Sequence, residues 1–213
     1  MPRIKGLSFD TMPAELAQRL NEIFGPDRTK GTVTGTPGNW WTVWARVPGI
    51  LGAFSAYPLR DAPLNAELRE IALVRTGYLR ASQFVFSQHS KSARKAGVVE
   101  EKIKAIPYWT VSDVFDKQER AVLAYTDGLI LEDGRIHDAV FASLRAHLSD
   151  DEILILTYAV NMYSLHATAT RALRLEYDDV PERVVEIPAP VSPGVQDWLR
   201  TSWARSEADE GTG

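Results

Sequence analysis

Glu70 and His89 are the residues of this sequence whose types and spacing best suit a proton-transfer unit. They sit in two neighbouring helical stretches, LNAELREIALVRTG and SQFVFSQHSKSARKA, separated by a break near residues 79 to 81. At about 100° per residue, the second stretch aligns Ser82, Val85, Phe86, His89, Ala93 and Ala96 on one stripe, with Gln83, Ser87, Lys91, Arg94 and Lys95 on the other side. His89 therefore faces the interior. In the first stretch the run Ile71, Ala72, Leu73, Val74 is apolar all round, which buries Glu70 and Arg75 within it. Glu70 lies about ten residues before the break and His89 about nine after, so at about 1.5 Å rise per residue the two reach similar heights in an antiparallel hairpin. Burial raises a carboxylate's pKa and lowers an imidazole's, while mutual attraction favours the ion pair. Two roles stay open for them: a catalytic acid–base pair, or a satisfied buried contact. Arg75 likewise either pairs with an acidic group of the fold or grips a substrate carboxylate through its two-pronged guanidinium.

His166 occurs in YAVNMYSLHATATRAL, where with Asn161 and Tyr163 it either lines a cavity or completes a polar contact in the core. Trp41, Trp44, Phe86 and Tyr163 supply the flat apolar wall that an aromatic or otherwise planar substrate would need, or else form ordinary core. His137 and His147 have polar neighbours and are expected in solvent. No two histidines stand three or four residues apart, and no HExxH, glycine-rich phosphate loop or GxSxG elbow occurs. No metal and no cofactor are expected. The complete lack of cysteine removes disulfides, thiolate ligands and thiol redox catalysis.

These candidates need a helical scaffold, and the rest of the chain supplies one. Its 213 residues, 45% of them hydrophobic, can bury a sizeable core, and a net charge of −4 gives no bulk attraction to nucleic acid or an anionic membrane. Helices are expected over about 13–24, through 39–54 with an interruption at Pro48, and over 64–77, 82–96, 98–106, 116–131, 136–148 and 150–173. Residues 25–39 form a long Gly/Pro/Thr loop, either a lid or a plain surface connection, and the tail from about 180 is proline-rich and then acidic. No segment alternates persistently enough for a sheet, so the fold class is all-α: a single helical domain over 1–213 built around the hairpin. MPRIKGLSFDTMPAEL lacks the apolar core of a secretory signal and no window is apolar enough for a membrane span, which makes the cytoplasm the expected compartment.

The block LNAELREIALVRTGYLRASQFVFSQHSKSARKAGVVEEKIKAI resembles the carboxymuconolactone decarboxylase and alkylhydroperoxidase-D-like superfamily in Arg69-Glu70, His89, Ala93, Gly97 and the helix after that glycine, over about residues 62–106. The resemblance implies an all-helical subunit assembled as a homo-oligomer, trimer or hexamer. It also implies that Ser82 and Val85 occupy the two positions where the peroxidase branch carries its Cys-x-x-Cys pair, so that thiol peroxidase chemistry is disfavoured. In the decarboxylase branch the residue four before the histidine is commonly glutamate; here it is Val85. The expected function is a cofactor-free, decarboxylase-like acid–base enzyme acting on a small carboxylated or lactone intermediate of aromatic-compound breakdown. His89 and Glu70 would be catalytic, and Arg75, Ser82, Val85, Phe86, Trp41, Trp44, Tyr163 and His166 would bind the substrate. The alternative is a non-catalytic, oligomeric small-molecule-binding member.

Overall fold

The computed structural model describes residues 3–24, 39–56, 59, 62–173 and 175. The loop expected over 25–39 (apart from Asn39) and the tail from about 180 lie outside them. Among the described residues all regular structure is helical: α1 Ala14–Phe24, α2 Asn39–Trp44, α3 Pro48–Ser55, α4 Ala66–Leu79, α5 Gln83–Ala96, α6 Glu100–Ala105, α7 Lys117–Leu131, α8 Asp138–Arg145 and α9 Asp150–Leu173. Short 3-10 helices span Phe9–Thr11 and Ile106–Val111. No helix among them is long and apolar enough to cross a membrane.

The central element is α4, which packs against α5, α7 and α9, so its residues from Ile71 to Gly77 are all buried. This explains why its apolar residues follow no single face: a helix enclosed by three others needs none. Asn65 starts it by accepting from the backbone N–H groups of Glu67 (2.8 Å) and Leu68 (3.2 Å). Ile71 and Val74 face Phe86, Ala93, Ile103, Ile106 and Leu123 in one core cluster, while Leu68 and Ala72 join Val122, Tyr125, Leu156 and Val160 in another. Each fully buried aliphatic side chain of this kind contributes about 1.5–3 kcal/mol.

The turn into α5 brings the two helices very close. Ala81 takes a left-handed conformation (φ 49°), the Ser82 N–H bonds back to the Gly77 carbonyl at 2.9 Å, and Ser82 caps α5 by accepting from the Val85 N–H at 3.3 Å. A side chain at Gly77 would place its Cβ 2.5 Å from the Phe86 nitrogen. The glycine is thus required by the helix crossing. At the other end Gly97 (φ 112°) stops α5, its N–H and that of Val98 bonding back to the carbonyl of Ala93.

Several ends follow the expected capping chemistry. Asp116 and Glu119 form a reciprocal capping box on α7, and Ser149 and Glu152 do the same for α9. The stretch 39–54 is interrupted at Pro48 as expected, the proline opening α3 instead of continuing α2. Other features differ from expectation. The helix expected over 136–148 is shorter, since the His137 ring Nδ1 accepts from the Ala139 N–H at 3.1 Å and caps α8. Ser87, expected on the polar side of α5, is 5% exposed.

Candidate active site

The hairpin places Glu70 and His89 together. His89 Nδ1 lies 2.8 Å from Glu70 Oε2, with both side chains under 10% exposed. The other carboxylate oxygen takes the Arg69 Nε–H at 3.2 Å, while Arg69 also donates to the Leu59 carbonyl at 2.7 Å. Burial by itself raises the Glu70 pKa, but the His89 hydrogen bond and charge, aided by Arg69, outweigh it and hold the carboxyl below its usual value. A carboxylate facing Nδ1 sets that nitrogen as the N–H-bearing one and directs Nε2 as the nitrogen able to exchange a proton.

Helix α9 closes over this pair. The Tyr163 ring stands edge-on to the His89 imidazole at 4.1 Å and also touches His166 at 4.9 Å. Burial first, and Glu70's negative charge second, push the Tyr163 hydroxyl up to about 12, so it remains a neutral hydrogen-bond donor at ordinary pH. His166, buried among aromatic rings and near His89, is pushed down to about 4 and is neutral at pH 7. One turn further along α9, the Thr170 hydroxyl meets Ser82 Oγ at 3.4 Å. Val85, 1% exposed, lies one turn before His89 on α5. Ser82 and Val85 therefore share the α5 stripe that carries His89.

The aromatic wall differs from the one read in the sequence. Trp40, not singled out there, is 3% exposed and lies 4.3 Å from His166, 5.5 Å from Trp44 and 5.6 Å from Phe54. Phe54 contacts His166 at 5.1 Å, and Phe84 stacks on Trp40 at 6.1 Å. Trp41 and Trp44 both pack against this cluster and against the one around Met12 and Leu51, Trp44 with its ring 5.5 Å from Trp40 and 5.2 Å from Phe54. Phe86 points elsewhere. It packs with Ile71, Val74 and Ile103 and meets the Tyr78 ring at 6.4 Å, on the face of α5 away from the Trp40 cluster. A helix turn separates Phe84 from Phe86 by about 200°, which is why one replaces the other in the wall.

Of the two roles open to Arg75, the structure shows the pairing with an acidic group of the fold. Its Nε and Nη2 donate to the two carboxylate oxygens of Asp127 at 2.7 and 2.9 Å, and its Nη1 donates to the carbonyls of Ile106 and Pro107, each at 3.0 Å. The Trp109 indole N–H completes Asp127 at 3.0 Å. With all three nitrogens engaged, Arg75 fastens α4 to α7 and the 106–111 turn. Asn161 is exposed and bonds to its own helix at the Thr157 carbonyl. Among the described residues no three His, Asp or Glu side chains gather as a metal site.

The fold that holds these residues is shared with known proteins. The model of the Carboxymuconolactone decarboxylase family matches residues 48–128, which hold both Glu70 and His89. A protein of unknown function from Agrobacterium tumefaciens is 26% identical, with 67% of this chain and 97% of that one aligned at a TM-score of 0.60. Residues 48–128 thus match the carboxymuconolactone decarboxylase family, and the helical fold around them is that of AhpD-like proteins. The AhpD-core, peroxidase-related protein of Ralstonia eutropha JMP134 shares the fold at a TM-score of 0.71 and 18% identity, over 84% of this chain and 93% of its own. So does a cysteine-to-alanine variant of the debrominase Bmp8 in complex with 2,3,4-tribromopyrrole, at a TM-score of 0.62 and 15% identity, over 82% and 95%. Unlike the debrominase, whose variant replaces a cysteine, this chain has no cysteine.

Proposed function

We propose that the chain is a cofactor-free acid–base enzyme in which His89 exchanges a proton with carbon on a small, flat, carboxylated or lactone-type substrate of aromatic-compound breakdown. The observation that carries this reading is the 2.8 Å contact between Glu70 and His89 Nδ1, which holds the imidazole in one orientation beside an aromatic wall. In a decarboxylation resembling that of carboxymuconolactone, the bond to the carboxylate carbon breaks and its electron pair moves onto a conjugated carbonyl oxygen. Carbon dioxide leaves, the imidazolium of His89 protonates the carbanionic carbon as the carbonyl reforms, and the imidazole ends neutral. Glu70 stabilises the imidazolium before transfer and, by engaging Nδ1, leaves Nε2 for the exchange. Such general acid–base assistance is worth about 10² to 10⁴-fold.

Thiol peroxidase or thiolate-dependent dehalogenation has no nucleophile here, because the chain has no cysteine. The flat halogenated pyrrole bound by the debrominase variant supports a planar substrate for the shared fold, and nothing finer. A second reading, a non-catalytic binding protein, draws on how completely Glu70 is satisfied by His89 and Arg69. The test is a screen over lactones, muconate derivatives and aromatic acids with wild type, His89→Ala and Glu70→Gln. Turnover by wild type that collapses in His89→Ala supports the enzyme; turnover indifferent to both substitutions removes these residues from the chemistry. We further propose a trimer or hexamer, supported by the exposed Leu154 and Leu165 along α9. Sedimentation equilibrium showing a monomer at micromolar concentration would refute it.

A further inference from the structure

His166 is 8% exposed, and its Nε2 is buried without a hydrogen-bond partner among the described residues. The same holds for Trp44 Nε1. Both side chains lie against the same two rings: His166 is 4.3 Å from Trp40 and 5.1 Å from Phe54, and Trp44 is 5.5 and 5.2 Å from them. Desolvating a polar nitrogen without giving it a partner is unfavourable, and an apolar side chain of similar size would avoid the cost. Two such atoms in one aromatic cluster, joined to His89 through Tyr163, mark a place built to receive a polar group.

The chemistry of that group follows from the surroundings. His166 is neutral at neutral pH, because burial and then His89 lower its pKa to about 4, so it offers no charge to a carboxylate. Arg69 and Arg75 are both engaged with fold groups. A hydroxyl, by contrast, pairs with either tautomer of a neutral imidazole and can also accept from an indole N–H. The aromatic walls favour a flat ring and give a lone water too few partners. Trp40 and Phe54 come from α2 and α3, of six and eight residues, whose displacement disturbs far less packing than parting α4 from α5.

We propose that His166 is the specificity contact of this site: its Nε2 hydrogen-bonds the hydroxyl of a flat phenol- or enol-type ring that replaces Trp40 and Phe54 against the imidazole. The inference rests on reading the surroundings of His89 as a substrate site, and it narrows the substrate at the end remote from His89. Phenol, toluene and benzoate are the probes, titrated into the full chain by calorimetry and by ¹⁵N-resolved spectra of the four histidine rings. A hydrogen bond to an otherwise unserved buried nitrogen is worth on the order of tenfold in affinity. Phenol should therefore bind at least tenfold more tightly than toluene or benzoate and shift the His166 Nε2 resonance, and His166→Leu should bind phenol and toluene alike. His89→Ala should keep the preference for phenol, so that a failed substrate screen with the preference intact rejects the acid–base reading and leaves this one standing. Equal binding of phenol and toluene, no binding of phenol, or a folded His166→Leu that still prefers phenol would overturn the proposal. Should His166→Leu fail to fold by circular dichroism, the wild-type resonance decides alone: a shift with phenol supports the contact and an unmoved signal rejects it.

Discussion

Helix α4 reaches its neighbours through two buried polar contacts, Glu70 with His89 on α5 and Arg75 with Asp127 on α7, and they differ in what they leave over. Arg75 and Asp127 meet in a two-pronged contact whose remaining polar atoms go to two backbone carbonyls and an indole N–H. Nothing in that network can change partner without losing a bond, and such a network fixes geometry. Glu70 and His89 share a single short bond, and the imidazole keeps a second nitrogen that Glu70 does not touch. That surplus is what a proton-transfer group requires. Burial and charge alone do not separate a structural pair from a chemical one; the valence left over does.

The comparison is broken most forcefully by removing one carboxylate. Asp127→Ala leaves the Arg75 guanidinium, 8% exposed, with its charge uncompensated, and should cost about 3–5 kcal/mol of unfolding free energy in urea titrations. A loss below about 1 kcal/mol would mean that the network is not the fastening described. A swing almost as large is expected from acid. The His166 pKa is about 4 in the folded chain against 6.5 ordinarily, so between those values the unfolded chain takes up a proton that the folded chain refuses. Stability should therefore fall as pH drops from 6.5 to 4, by roughly 3 kcal/mol in total. Glu70, whose pKa is lowered on folding, contributes a further loss in the same direction, beginning near 4.5 and continuing below it. Urea titrations at a series of pH values measure the slope, and His166→Phe should flatten it above pH 4.5. Smaller still is Gly77→Ala, where the new Cβ forces α5 away from α4 and should cost about 1–3 kcal/mol by thermal melting. This change should lengthen the Glu70–His89 contact across that crossing while sparing Arg75–Asp127, which spans α4 and α7.

How much of this the sequence disclosed varied with the distance over which each contact is made. Glu70 and His89 were legible because they are 19 residues apart across one hairpin, so that helical rise and a single break suffice to bring them level. Arg75 was legible only as a buried cation, since Asp127 is 52 residues away on a helix whose rotation no local pattern fixes. The caps at Asp116 and Ser149 announced themselves through residues three apart. His137 did not, because imidazole is an uncommon cap. Trp40 escaped because Pro48 ends the periodicity on which its face would be read, and the reading settled on Trp41 and Trp44 instead. The neutral, unpartnered state of His166 depends on rings from α2 and α3 meeting α9, a tertiary event without a local signature.

The measurement that bears most directly on the central claim is turnover and stability of Glu70→Gln, set side by side on the substrate identified by the screen. Glutamine still offers His89 an oxygen but neither stabilises an imidazolium nor carries charge. The account predicts a folded protein within about 2 kcal/mol of wild type whose kcat falls about 10²-fold or more. A Glu70→Gln protein with undiminished kcat, whatever its stability, would contradict it and return Glu70 and His89 to the class of Arg75 and Asp127.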